Sequence, residues 1–84
     1  MNYFVYIIQS LVDDSFYIGY TSNIELRLKK HNNGHSRYTS KKLPWKLVYT
    51  ESFDNKSDAI KRERFLKKQK NTEFYNRLIG NGLS

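Results

Sequence analysis

Residues Tyr3 to Ile8 alternate between two faces, with Tyr3, Val5 and Ile7 on one and Phe4, Tyr6 and Ile8 on the other, and both faces are apolar or aromatic. A strand of that kind is covered on both sides. The Asp13-Asp14-Ser15 cluster carries turn chemistry, and Phe16 to Tyr20 returns as a second strand, so the two segments predict an antiparallel hairpin. On the return strand Tyr17 and Gly19 share a face. A glycine leaves the backbone approachable, which makes that face a natural place for a ligand to lie against Tyr17.

Helical periodicity begins after the hairpin. Ser22-Asn23-Ile24-Glu25 fits a capping box and Gly34 stands where a helix would end, which predicts a first helix over 23–33. At about 100° per residue, Ile24 and Leu28 form its inner stripe, and Arg27 and His31 fall beside that stripe, facing the sheet. Residues 35–46 read as a polar, basic connection holding Tyr38 and Trp45 and interrupted by Pro44, and Trp45 to Phe53 as a third strand. A second helix starts at Asn55 or Ser57 and runs to about Lys70. Its wheel sets Ala59, Ile60, Leu66 and the stem of Lys67 on one face with Glu63 in the middle. A final short helix from Thr72 to Ile79 packs through Phe74, Leu78 and Ile79, with Gly80-Asn81-Gly82 fraying its end. There is no repeat and no linker, so 1–84 is expected to be a single domain.

At 84 residues, only about 60 to 65% of the unfolded chain's surface can be buried. With no cysteine, disulfides, thiolate zinc sites and cysteine nucleophiles are excluded, and packing alone must hold the core. The longest apolar run, Phe4 to Ile8, is too short to span a bilayer, and Met1-Asn2 offers no basic opening of a secretory signal. A soluble, cytoplasmic protein is expected.

The net charge is +7, and its placement says more than its size. From Leu26 to Thr50 there is no Asp or Glu, and that window holds seven cations: Arg27, Lys29, Lys30, Arg37, Lys41, Lys42 and Lys46. It accounts for the whole net charge. A basic surface can serve solubility alone; concentration in one window points to a polyanionic partner, nucleic acid.

Phosphodiester hydrolysis needs an activated water, charge stabilisation at the phosphate and help for the leaving oxygen. Glu63 could hold a divalent ion such as Mg2+ through hard oxygen ligands. Arg27 can fork two donors onto phosphate oxygens. Tyr6 or Tyr17 could take the proton of the attacking water, given cations that lower the phenol pKa. His31 could orient a tyrosine or shuttle the proton. Each has a structural alternative: tyrosines in the core, a solvated arginine, a packed histidine, and a Glu63 buried in an ion pair with Arg27 or a lysine. Against these stands the expectation that all four reactive types, the tyrosines, Arg27, His31 and Glu63, aim at one sheet face.

Phe4-Val5-Tyr6 and Tyr17-Ile18-Gly19, followed by Gly19-Tyr20-Thr21-Ser22-Asn23, Arg27, His31 and the late Glu63, resemble the signature of the GIY-YIG nuclease superfamily. Tyr17-Ile18-Gly19 matches its second motif fully, whereas Phe4 replaces the glycine of the first. The likeness spans most of the chain and is closest to compact members that look like the nuclease domain of the excinucleases and of Slx1-type endonucleases. The resemblance implies an α+β fold, a small three-stranded antiparallel sheet flanked by helices in the order β-β-α-β-α-α. It implies an active site of Tyr6, Tyr17, Arg27 and His31 with Glu63 as metal ligand, and Mg2+ or Mn2+ as cofactor. Many members also carry a late asparagine near the site, here Asn71 or Asn76.

The expected activity is a metal-dependent endonuclease cutting DNA, directed by structure or single strands, with a role in DNA repair. The expected DNA contacts are Lys30, Arg37, Tyr38, Lys41, Lys42, Trp45, Lys46 and Lys67, with Tyr38 or Trp45 free to stack on an unpaired base. A monomer is expected, away from membranes, with a protein partner as one source of specificity. The alternative is a non-catalytic nucleic-acid-binding module or docking domain on the same fold.

Overall fold

The computed structural model of the protein describes residues 2–34 and 37–82; His35 and Ser36, at the start of the basic connection, lie outside the described residues. Strands β1 (Tyr3–Ser10), β2 (Phe16–Thr21) and β3 (Trp45–Phe53) and helices α1 (Ile24–Asn32), α2 (Lys56–Gln69) and α3 (Thr72–Gly82) follow in the order β-β-α-β-α-α, with a short 3-10 turn at Thr39–Lys41. The fold is α+β, and the sheet is antiparallel in the order β2-β1-β3.

β1 is the central strand, which explains its two apolar faces. Val5 and Ile7 pack with Ile18, Val48, Tyr49, Ala59, Leu66 and Tyr75 in the larger core. Tyr6 and Ile8 pack with Trp45, Tyr17, Leu28 and Leu43 on the opposite face. The sheet therefore lies between α1 on one side and α2 and α3 on the other. The β1–β3 register shifts between Ile7, opposite Tyr49, and Ile8, opposite Leu47. The extra residue is Val48, and this bulge lets the chain neighbours Val48 and Tyr49 enter the same core.

The helix caps are local chemistry. Asn23, with extended backbone, caps α1 by accepting from the Leu26 amide at 3.0 Å. The cap falls one residue after Ser22 because Thr21 Oγ1 accepts from the Asn23 amide at 3.1 Å and holds that residue at the helix entrance. Asn55 caps α2 by accepting from the Asp58 amide at 2.9 Å. At its other end Lys70 takes a left-handed conformation (φ 45°), a strained state for a residue with a side chain. The buried Tyr75 hydroxyl accepts from the Lys70 amide at 3.2 Å and donates to the Leu66 carbonyl at 2.7 Å, securing that end. Asn71 spends its carboxamide on the Glu73 and Phe74 amides at the start of α3, while Asn76 is exposed. α3 continues to Gly82, past the expected end at Ile79. Leu78 and Ile79 pin the preceding turn on the core, and a helical glycine costs only about 1 kcal/mol.

Candidate active site

Tyr6 and Gly19 are directly opposed across β1 and β2. A Cβ on Gly19 would lie 2.5 Å from the Tyr6 hydroxyl oxygen and 2.7 Å from its Cζ. The glycine of Tyr17-Ile18-Gly19 therefore makes room for the Tyr6 ring. This corrects the expectation that Gly19 leaves backbone open to a ligand: the space is filled by a tyrosine 2% exposed.

Around the Tyr6 oxygen the structure gathers two helix side chains. Arg27 Nε donates to it at 3.3 Å, and it shares a hydrogen bond of 2.9 Å with His31 Nε2. The other imidazole nitrogen, Nδ1, lies 2.9 Å from Oγ1 of the fully buried Thr39. Burial pushes the Tyr6 phenol up to about 12; the Arg27 hydrogen bond opposes that rise, and the charges of Tyr17 and Glu63 add to it. Arg27 is held even more firmly cationic, chiefly by its hydrogen bond to Tyr6. His31 is shifted down by burial and then by the Arg27 charge, so it stays neutral at physiological pH. Thr39 carries no sequence signal, since a threonine within a basic loop reads as surface.

Tyr17 is half-buried and sits at the junction of the site. Its ring meets His31 edge-on at 4.9 Å, Tyr38 at 5.9 Å, and Tyr6 and Trp45 at 6.4 Å each. Together with Tyr38, Lys67, Phe16, Ile18 and Tyr75 it lines an open cleft of about 230 Å³. Tyr38, 52% exposed, is one wall of this cleft and also borders a basic hollow with Arg37, Lys41 and Lys42.

Glu63 reaches the site from a different layer. The expectation set all four reactive types on one sheet face; instead α2 packs Ala59 and Leu66 on the face opposite Tyr6. Glu63 and Lys67 come round the edge strand β2: Lys67 Nζ lies 6.0 Å from the Tyr17 ring centre and 3.5 Å from the Glu63 carboxylate. The Glu63 side chain is 14% exposed, and the ion-pair alternative is realised with Lys67, the residue one turn on. Among the described residues no group of three or more His, Cys, Asp or Glu is placed to hold a metal ion. A metal here would have one protein carboxylate and take its remaining ligands from water and phosphate, which suits Mg2+. The donor set fits to that extent, and Lys67 already stands beside the carboxylate as a cation.

The expected DNA contacts divide. Lys30, Arg37, Lys41, Lys46 and Lys67 are exposed. Lys42 is held: its Nζ is 3.3 Å from Asp13, 3.3 Å from Ser15 Oγ and 5.3 Å from the Tyr38 ring centre. Trp45 is not free to stack on a base. It is 3% exposed, donates from Nε1 to the Thr39 carbonyl at 2.9 Å, and exchanges two backbone hydrogen bonds with the Asn32 carboxamide. Its place as the first residue of β3, opposite Ser10, turns the indole inward.

This sheet with paired tyrosines on adjacent strands, backed by an arginine and a histidine from the first helix, is the arrangement of a nuclease fold. The GIY-YIG catalytic domain model matches residues 2–76, and the chain belongs to that family. It is 51% identical over 69 residues to the UPF0213 protein CPE1444 of Clostridium perfringens, covering 81% of this chain and 72% of that one. A UPF0213 protein of Pediococcus acidilactici is 39% identical over 98% of this chain and 87% of its own. The solution NMR structure of the UPF0213 protein BH0048 of Bacillus halodurans superposes with a TM-score of 0.59 at 34% identity, covering 99% of this chain and 88% of that one. No helix among the described residues is long and apolar enough to cross a membrane.

Proposed function

We propose that the protein is a divalent-metal-dependent endonuclease that hydrolyses phosphodiester bonds in DNA. The observation that carries this reading is the Tyr6 oxygen held between the exposed Arg27 and the buried His31, beside the half-buried Tyr17, which lines an open cleft together with Lys67, the ion-pair partner of Glu63. Arg27 gives Nε to Tyr6 and keeps its terminal nitrogens for phosphate oxygens. Tyr6 is unsuited to remove a proton: it is buried, its pKa is raised to about 12, and its oxygen already has two partners. Tyr17 faces the cleft and takes that part. The water oxygen attacks phosphorus and its proton passes to the Tyr17 oxygen as the phenol gives up its own hydroxyl proton; the bond from phosphorus to the leaving sugar oxygen breaks, and that oxygen takes up the released proton through solvent. Tyr6 and His31 hold Arg27 and the Tyr17 ring in place. Glu63 would hold Mg2+ or Mn2+, which supplies charge neutralisation at the phosphate and a more acidic bound water. With Glu63 so engaged, Lys67 would be free to contact phosphate.

DNA is expected to be held along Lys30, Arg37, Lys41 and Lys46 with Tyr38 against a base, which favours unpaired or branched substrates and a task in DNA repair. The test incubates the protein with labelled single-stranded, flapped and branched DNA and Mg2+ or Mn2+, beside Glu63→Gln and Tyr17→Phe. Both variants should bind DNA and fail to cut it. Equal cleavage by Glu63→Gln would remove the metal role. One observation favours a second reading, a binding module without turnover: the Glu63 carboxylate already has a cation partner. Steeply salt-dependent binding with no cleavage by any form would establish that reading.

A further inference from the structure

Thr39 stands outside every catalytic assignment above, yet among the described residues of the basic loop it is the deepest polar group. It is fully buried, its carbonyl accepts from the indole of Trp45, and its hydroxyl oxygen meets His31 Nδ1 at 2.9 Å. On either side of it, Tyr38 and Lys41 are exposed. The loop that presents these groups is fastened near the hairpin through Lys42, whose carbonyl accepts from Ser10 Oγ at 2.8 Å, and near α1 through Thr39, and Thr39 touches the imidazole that touches Tyr6.

Two arrangements of protons can fill the row Tyr6–His31–Thr39. In one, the phenol donates to Nε2 and Nδ1–H donates to Thr39; in the other, Thr39 donates to Nδ1 and Nε2–H donates to the phenol oxygen. The chemistry of the ends separates them. A phenol is a stronger hydrogen-bond donor and a weaker acceptor than an aliphatic hydroxyl, and the Tyr6 oxygen already accepts from Arg27 Nε. The first arrangement therefore uses each hydroxyl for what it does better. The groups packed on the imidazole, Tyr6, Tyr17 and Arg27, include no carboxylate that would draw a second proton onto it.

We propose that Thr39 is a positioning residue: by accepting from His31 Nδ1–H it fixes the imidazole in the tautomer whose Nε2 accepts the Tyr6 proton, and so couples the basic loop to the candidate active site. The effect on cleavage rests on the nuclease reading; the tautomer does not.

The experiment records the imidazole nitrogen spectrum of the 15N-labelled protein without substrate, identifying the two histidines with a His31→Gln variant, and repeats it for Thr39→Val and Thr39→Ser. The native protein and Thr39→Ser should show His31 protonated at Nδ1, and Thr39→Val should move toward the Nε2-protonated form. A native His31 protonated at Nε2, or an unchanged tautomer in Thr39→Val, overturns the proposal. Should Thr39→Val fail to fold, the native spectrum alone decides. In DNA cleavage, Thr39→Val should be slowed roughly tenfold at unchanged DNA affinity, with Thr39→Ser near native, since the contact is one hydrogen bond. If the native protein cuts nothing, the nuclease reading fails while the tautomer result stands. Equal loss in both variants would make the residue a packing element and defeat the coupling.

Discussion

The two sides, or walls, of the candidate site are built on opposite plans. The wall on the α1 side is buried and bonded throughout: Tyr6, His31 and Thr39 are each 2% exposed or less, and each shares hydrogen bonds with the next. The wall on the α2 side is an ion pair one helical turn long, with Lys67 half-exposed and only Glu63 tucked in. Hydrogen bonds inside a low-dielectric interior hold a geometry, whereas an i,i+4 pair at a surface is worth only about 0.3 to 0.5 kcal/mol and is readily exchanged. The first wall is a fixed scaffold for Tyr17 and Arg27. The second can trade one cation for another, as a metal ligand must.

The largest stability effect should come from breaking the fixed wall at its anchor. Trp45→Ala removes an indole that packs on Tyr6, Ile8 and Leu28 and donates to the Thr39 carbonyl of the 3-10 turn, and it should cost about 3 to 5 kcal/mol. A denaturation midpoint close to native would mean that the buried wall does not depend on Trp45. Gly19→Ala should be next, since the added methyl group meets the Tyr6 hydroxyl at 2.5 Å. Overpacking of that kind costs about 1 to 3 kcal/mol, and the displaced Tyr6 should take cleavage with it. The same assays applied to Glu63→Gln should show the reverse pattern: stability within about 0.5 kcal/mol of native and no cleavage. A large loss of stability in Glu63→Gln would erase the distinction between the walls.

These contrasts also mark what could be read in the chain. The two-sided alternation of Tyr3 to Ile8 predicted a strand covered on both faces, because burial on both sides leaves no polar position. The helical wheels placed Arg27, His31 and Glu63 facing inward. A wheel gives an angle about one axis, however, and cannot say on which side of a sheet that axis lies, so Glu63 was expected on the face of Tyr6 although α2 covers the other one. Trp45 looked like an exposed stacking group because lysines surround it in sequence; its pairing with Ser10, 35 residues earlier, decides its direction. Thr39 and Gly19 acquire meaning only from contacts made across the fold, a hydroxyl against His31 and a ring over a missing side chain.

A smaller effect separates the walls by pH. His31 is depressed below its ordinary value by burial and by Arg27, so the unfolded chain binds the proton more readily than the folded one. Its contribution is complete above the unfolded pKa of about 6.5 and is lost as pH falls below that value toward the folded pKa. Unfolding midpoints measured from pH 7.5 to 5 should therefore decline in the native protein and flatten in His31→Gln across that window. An identical decline in both would place the titrating group elsewhere.

The smallest effect belongs to the clamp at the end of the hairpin, where Asp13 accepts from the Ser15 amide and hydroxyl and pairs with Lys42. The Ser15 hydrogen bonds, and then Lys42, hold the Asp13 carboxyl down at about 2. The pair is largely open to solvent, so Asp13→Asn should leave the unfolding midpoint unchanged. It should nevertheless free the Lys42 ammonium, which the native protein keeps turned to Asp13 and Ser15. One additional phosphate contact steepens the salt dependence of DNA binding by about 0.9 in log K against log salt for duplex DNA and about 0.7 for a single strand. Titrations at four salt concentrations resolve a change of that size. An unaltered slope would show that Lys42 is held by Tyr38 and the loop rather than by Asp13, and would extend the fixed wall outward to include it.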